Sequence, residues 1–158
     1  MILFDFGGLI KGDSKYPDHK DWIQLQTAEL KIDRKIESTG GKLDRKPGTP
    51  SFSDVELTKI SDKASVDLFI EGAGGKKPQK AVIHFCNGTS KGPKVFMSWE
   101  LENAFISHYN IESSGSRPQE TIRLNFSKIK IGYTGFKSDG KDEKISPKGW
   151  NLETGGKL

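Results

Sequence analysis

Glu100 and Glu102 stand two residues apart in the run SWELEN, and a pair of carboxylates is the set that glycoside hydrolysis uses. That chemistry needs its carboxyls to face each other across a substrate from different elements. Two glutamates sharing one face of a predicted strand point instead at water or at lysines of the next strand. His19, His84 and His108 are far apart in the chain, with no HxH or HExxH spacing and no carboxylate partner at ligand spacing, so a metal site would need a tertiary coincidence and none is expected. His84 and His108 fall in predicted strands and read as satisfied side chains at half-buried positions. Cys86, in AVIHFC, reads as a small buried hydrophobe rather than a nucleophile. No GxSxG, Walker loop or GxGxxG occurs, and the pairs Gly7-Gly8, Gly40-Gly41, Gly74-Gly75 and Gly155-Gly156 lack the strand and helix that phosphate binding requires. The sequence therefore offers no catalytic residue and no cofactor site. Basic and aromatic residues do interleave in RLNFSKIKIGYTGFK, as in an oligonucleotide-binding barrel; Phe126, Tyr133 and Phe136 are also explained as core or bulge residues.

The elements that would position these residues are strands. At 158 residues, with 33% apolar and 29% charged residues and 18 glycines, the chain suits one turn-rich domain with a modest core. A balance of 25 basic to 21 acidic residues and a pI near 9.1 are mild for a nucleic-acid binder and too diffuse for a membrane anchor, so neither nucleic acid nor stable membrane insertion is expected. Lys76, Lys77 and Lys80 form the densest basic cluster of their region and read as a solvated turn. A single cysteine makes no intramolecular disulfide. MILFDFGG has neither a basic leader nor a long apolar run, so the chain is expected to be made and folded in the cytosol.

Most apolar runs have period two and are bounded by Gly, Pro, Asn or Asp, the pattern of β-hairpins. LFDFGGLIKG, DWIQLQTAELKI, DVELTKI, KAVIHFC, KVFMSWELENAFISHYNI, TIRLNFSKIKIGYT and GWNL are the predicted strands. SDKASVDLFIEGAGG predicts the one helix, capped by Ser65, with Leu68 and Phe69 as its apolar face and Gly72 or Gly74 at its end. Residues 33–54 and 135–149 read as loops by composition, the first long enough to be functional or disordered.

Three runs change apolar phase partway. Ile122, Leu124 and Phe126 give way to Ile129, Ile131 and Tyr133; Ile23 and Leu25 to Ala28, Leu30 and Ile32; Val95, Met97, Trp99 and Leu101 to Ala104 and Ile106. A β-bulge flips every later side chain and bends the strand, as a sheet must to curl into a barrel. The first bulge is predicted near Ser127-Lys128. Alternatively both faces of these strands are covered, the second by a neighbouring molecule, which predicts an oligomer.

The ordered set IKGDS, HKDWIQL, DVELTKISDKAS, KAVIHF, ETIRLNFSKIKIGYT and GWNL resembles the haemolysin-coregulated protein (Hcp) family of the bacterial type VI secretion system, from about Ile10 to Leu152. The resemblance implies a mainly β fold: one domain over residues 1–158, a two-sheet β-barrel with a short helix at its side and a long extended loop. It implies a homo-hexameric ring, stacking of rings into a tube, contractile sheath and spike proteins as partners, and small secreted effectors in the lumen. It also implies a cytoplasmic origin, export by the apparatus without a cleaved signal peptide, and no enzymatic activity, since no toxin domain follows GWNL. On this resemblance the loop of residues 33–54, with Arg34, Lys35, Ile36, Leu43, Arg45 and Lys46, makes the ring-stacking contact, and Glu29 faces the lumen. Strand edges and the helix region 61–73 pack side by side. A monomeric oligonucleotide- or carbohydrate-binding β-barrel is the alternative.

Overall fold

One 21-residue strand, Gly92–Glu112, belongs to two sheets. The computed structural model describes residues 1–38, 40 and 45–158. In chain order the elements are β1 (Ile2–Phe6), β2 (Ile23–Leu25), β3 (Thr27–Glu29), β4 (Ile32–Asp33), β5 (Ile36–Ser38), β6 (Arg45–Pro47), β7 (Ser51–Phe52), β8 (Val55–Ile60), α1 (Ser65–Gly74), β9 (Gln79–Thr89), β10 (Gly92–Glu112), β11 (Gln119–Asn125), β12 (Lys128–Phe136), β13 (Asp142–Asn151) and β14 (Gly156–Lys157). The first sheet runs β2-β1-β9-β10-β12-β13-β14 and uses the N-terminal half of β10. The second runs β10-β11-β8-β3 and uses its C-terminal half. Phe4, Phe6, Ile83 and Leu101 from the first sheet pack against Val55, Leu57, Ile122 and Leu124 from the second, all at most 0% exposed, because alternate residues of each strand point to the shared interior.

The phase changes mark the places where the chain passes between sheets. On β10 the register slips between Leu101 and Ala104. Asn103 there takes φ 53°, a left-handed conformation that Asn tolerates better than most residues. Directly opposite, β11 ends at Asn125 and β12 begins at Lys128, and the corner is tied by Ser127 N–H donating to Glu102 O at 3.0 Å and Asn103 Nδ2 donating to Ser127 Oγ at 2.8 Å. The slip expected as a bulge near Ser127-Lys128 is thus a break between two strands, matched by a bulge in their common partner. At Gln26, between β2 and β3, the chain turns the same way, and Gln26 N–H donates to Thr58 O at 2.8 Å. Strand pairing does not run on around this second corner, so the fold is mainly β in two sheets but the sheets are not closed into the expected barrel.

Both stretches read as loops contain strands. Within residues 33–54, β4 pairs β7 and β5 pairs β6, making a two-stranded arm. Residues 142–149 belong to β13, and β12 with β13 forms a hairpin whose turn is 137–141. Beyond Phe52 and Trp150, which pack on the core, the arm and residues 142–148 are exposed, so neither stretch leaves an apolar alternation to read. Ala64, not Ser65, flanks the start of α1; Asp62 Oδ1 accepts the Ala64 N–H at 2.9 Å. Leu68 is buried, whereas Phe69 points outward.

Candidate assembly surfaces

The inner face of the first sheet extends beyond the second sheet that covers it. Residues directly paired across strands share a face, and the pairings Phe85–Met97–Tyr133, Ile83–Trp99–Ile131 and Ala81–Leu101–Ile129 define three rows. Ala81, Ile83, Leu101 and Ile129 are core, Phe85, Met97 and Trp99 are half-buried, and Ile131 and Tyr133 emerge. β13 continues the rows with Trp150 beside Ile129, Lys148 beside Ile131, and Ile145 beside Tyr133. The result is an apolar shelf continuous with the core, on which Ile131, Tyr133 and Ile145 are 37% to 55% exposed. The reverse face is polar: Glu100 pairs with Lys80 at 2.8 Å, and Glu102 lies 3.5 Å from Lys128 and 3.9 Å from Lys130. The two glutamates do share a face, and each is engaged by lysines.

A second apolar surface lies on α1. Val66, Phe69 and Ile70 follow helical spacing and are 57% to 69% exposed, while Leu68 on the opposite side anchors the helix to the core. Ile111 at the end of β10 is exposed nearby, in the hollow it lines with Phe69, Gly72 and Tyr109.

The residues expected to stack rings fall on the arm. Ile36 is in β5, Arg45 and Lys46 are in β6, Arg34 and Lys35 lie between β4 and β5, and all are exposed; Leu43 lies outside the described residues. Glu29, the lumen candidate, is exposed on β3, 3.0 Å from Lys31.

The model of the family described as "Type VI secretion system effector, Hcp" matches residues 4–133. The chain belongs to the Hcp family. Among solved structures it is similar to one described as a type six secretion system protein, with 24% identity, TM-score 0.87, and 99% of this chain and 98% of that one covered. It is similar to Hcp1 from Salmonella typhimurium, with 19% identity, TM-score 0.77 and 99% and 97% covered. A more distant likeness, 16% identity with TM-score 0.59 over 84% and 88%, is to the sheath-tube complex of an extracellular contractile injection system, PVC. No curated protein matches the chain.

Inside this Hcp fold the structure assembles two polar clusters that sequence spacing did not reveal. Lys59 and Glu120, both 0% exposed, point into the second sheet's interior and meet with Nζ 2.6 Å from Oε2. Lys59 also donates to Asp62 Oδ1 and Ile60 O at 2.9 Å, and Glu120 accepts from Ser65 Oγ at 2.7 Å and Tyr109 Oη at 2.5 Å. Burial pushes the Glu120 carboxyl up, but the bonds from Lys59, Tyr109 and Ser65 outweigh it and hold the carboxyl below its ordinary value. Burial and then the Glu120 bond raise Tyr109. Part of the signal was present: Lys59 holds a core-facing position in the predicted strand DVELTKI, whereas Glu120 falls one residue before the predicted strand that begins at Thr121.

The other cluster joins two histidines 65 residues apart. His19, in a 3-10 turn at Pro17–His19, places Nε2 2.8 Å from His84 Nδ1 on β9. Trp22 packs on both rings, at 4.7 Å from His19 and 4.8 Å from His84 between centroids. His19 Nδ1 is buried without a partner among the described residues. A bare lone pair there costs less than an orphaned N–H, so His19 donates through Nε2 and His84 accepts through Nδ1. Among the described residues no cluster of three or more His, Cys, Asp or Glu is arranged to hold a metal, and no helix is long and apolar enough to cross a membrane.

Proposed function

We propose that this chain is a tube subunit of a type VI secretion system, closing with copies of itself into a hexameric ring. Copies of a subunit with two different sticky surfaces close into a six-membered ring when each contact turns the next copy by one sixth of a full turn with no rise along the axis. The observation that carries the reading is the apolar shelf. A core face left open over Ile131, Tyr133 and Ile145, with family membership beside it, calls for a cover supplied by another molecule, and a monomeric binding barrel would leave it wet. The work such a subunit does is structural: Glu100 and Glu102 hold lysines, and no reaction forms part of the reading.

In this reading the rings stack through the arm, with Arg34, Lys35, Ile36, Leu43, Arg45 and Lys46 at the contact, and Glu29 faces the lumen through which small effectors travel. Sheath and spike proteins surround and cap the tube. The subunit assembles in the bacterial cytoplasm and leaves through the apparatus. Residues 1–158 act as one domain. The arm's charged, exposed surface suits a contact that must form and come apart. Light scattering of the purified chain is expected to give about six times the 17.5 kDa chain mass; a monomer at all concentrations would overturn the reading. Deleting residues 40–49 is expected to leave closed rings that no longer stack in negative-stain images, and loss of the rings themselves would show the arm to be misassigned.

A further inference from the structure

Leu3 and Cys86 are 1% and 2% exposed, yet neither belongs to the core cluster between the two sheets. Successive residues of a strand point to opposite faces. Phe4 and Ile83 point inward, so Leu3 and its cross-strand neighbour His84 point away from the core, as does Cys86 two residues further along β9. The connection between β1 and β2 lies over this face. Residues 11–22 form a compact loop whose ends meet: Gly12 N–H donates to Asp21 O at 2.7 Å, Asp21 N–H to Ser14 O at 2.8 Å and Ser14 N–H to Trp22 O at 3.1 Å. Tyr16 reaches the turn between β9 and β10, where a Cβ on Gly92 would stand 3.9 Å from its Cδ1. Trp22 packs on His84, and His19 donates to it. Lys63, 3.9 Å from Asp13 and 3.8 Å from Asp21, ties the loop from outside, but these pairs are exposed and add little.

We propose that residues 11–22 are an acid-released strap, held on β9 at neutral pH by the His19–His84 contact and undocked when that contact takes up protons. The contact holds one proton between two ring nitrogens 2.8 Å apart. An added proton either sets two N–H groups against each other or puts an N–H on His19 Nδ1, which is buried with no acceptor among the described residues. Both arrangements are costly in place and harmless in water. The surrounding charges do not offset this. Asp18 stands beside His19 in the same turn, and Glu100 on β10 favours a charged His84 but is held by Lys80 at 2.8 Å. On β1, Asp5 shares the face and accepts from Gly8 N–H at 3.1 Å, and the Met1 ammonium, bound to Cys86 O at 3.1 Å, is a further positive charge; β2 presents the uncharged Gln24. Burial prevails, holding His84 down to about 4 and His19 below its ordinary value. The strap is also poorly satisfied: the two buried side-chain atoms without a hydrogen-bond partner among the described residues, Ser14 Oγ and His19 Nδ1, are both in it. Release returns them to water, so this segment opens before the core strands do. Between pH 7.5 and 5, a histidine that moves from about 4 when docked to 6.5 when free favours release by about 30-fold, and His19 adds to it.

Cys86 is the chain's one cysteine and reports on the strap. In the full chain, its rate of reaction with 4,4′-dithiodipyridine is followed from pH 7.5 to 5 and divided by the rate for the urea-unfolded chain at each pH, which cancels thiol ionisation. The quotient is expected to rise by about 30-fold or more; a flat quotient overturns the proposal. His84→Gln offers His19 an amide oxygen that does not titrate, and is expected to lower the rise by about 30-fold; a rise as steep as that of the wild type overturns the assignment to this contact. Hydrogen exchange read by mass spectrometry and corrected for intrinsic rates needs no variant. On going from pH 7.5 to 5, peptides covering residues 11–22 are expected to lose protection while those covering β8 and β11 keep it. Equal loss in both would mean that the whole fold opens, and a strap that stays protected while Cys86 reacts would mean that another element uncovers the thiol; either result overturns the proposal.

Discussion

Lys59→Met is expected to remove about 3 to 5 kcal/mol of folding stability, the range for breaking a buried ion pair from one side. The structure argues for the upper part of that range. Both partners are 0% exposed, so the Glu120 carboxylate left behind stays in the interior with only two neutral donors, Ser65 Oγ and Tyr109 Oη. Glu120→Leu orphans the same two hydroxyls, but Lys59 keeps the Asp62 carboxylate and a carbonyl, so its cost falls at the lower end of that range. The double variant Lys59→Met/Glu120→Leu removes both fully buried charges; Asp62, 14% exposed, loses Lys59 but keeps the Ala64 N–H, and the two hydroxyls are left unpaired at about 1 to 3 kcal/mol each. The singles added together would cost about 6 to 10 kcal/mol, so a double variant losing about 2 to 6 kcal/mol, short of that sum, gives a coupling. Urea unfolding followed by tryptophan fluorescence at pH 7 measures it, at one fixed protein concentration because assembly adds to apparent stability. In a chain of this size the single variants should also melt about 6 to 20 °C lower. Single variants that lose less than about 1 kcal/mol, or a double that loses the full sum, would refute the claim that Lys59 and Glu120 act as a coupled, buried ion pair.

The histidine pair makes stability fall with acid. Burial holds His84 down to about 4, with His19 adding to the effect and Glu100 opposing it, and burial lowers His19 against the pull of Asp18. The unfolded chain takes up these protons first, near the ordinary histidine value of 6.5, so stability is full above that pH and declines as pH drops from 6.5 toward 4. His84→Leu is expected to flatten the dependence of the urea midpoint over that window, and an unchanged slope would sink the assignment. Asn103→Gly is expected to be close to neutral and Asn103→Ala to cost about 1 to 2 kcal/mol, since Ala is strained at positive φ; thermal melts distinguish them. Glu100→Gln/Glu102→Gln removes partly exposed ion pairs and is expected to shift stability by less than about 1 kcal/mol, and a loss of several would show these contacts to matter more than their exposure allows.

The sequence carried the fold wherever one face of a strand meets a core, because burial then writes an alternation into the residues. β8, β9 and β11 were legible for that reason, and Leu68 located the helix. Elements buried on neither face within the chain left no such record. β13 looked like a solvated excursion because residues 142–148 are exposed, and the arm's short strands pair mostly exposed residues, Glu37 with Lys46 and Ser38 with Arg45 among them. The phase changes were legible as slips, but their cause needed the partner strand: Asn103 and Ser127 are 24 residues apart and bend one corner together. The same limit applied to His19 and His84, which only the docking of the segment before β2 onto β9 brings into contact. For the assembly surfaces the order reverses. Ile131, Tyr133 and Ile145 keep an apolar pattern that their own subunit does not use, and Phe69, read as core-facing, is apolar although it points outward. A residue type that the isolated fold leaves unexplained is the trace of a burial that occurs elsewhere, and on this chain those traces collect on two surfaces of different shape, as a head-to-tail ring requires.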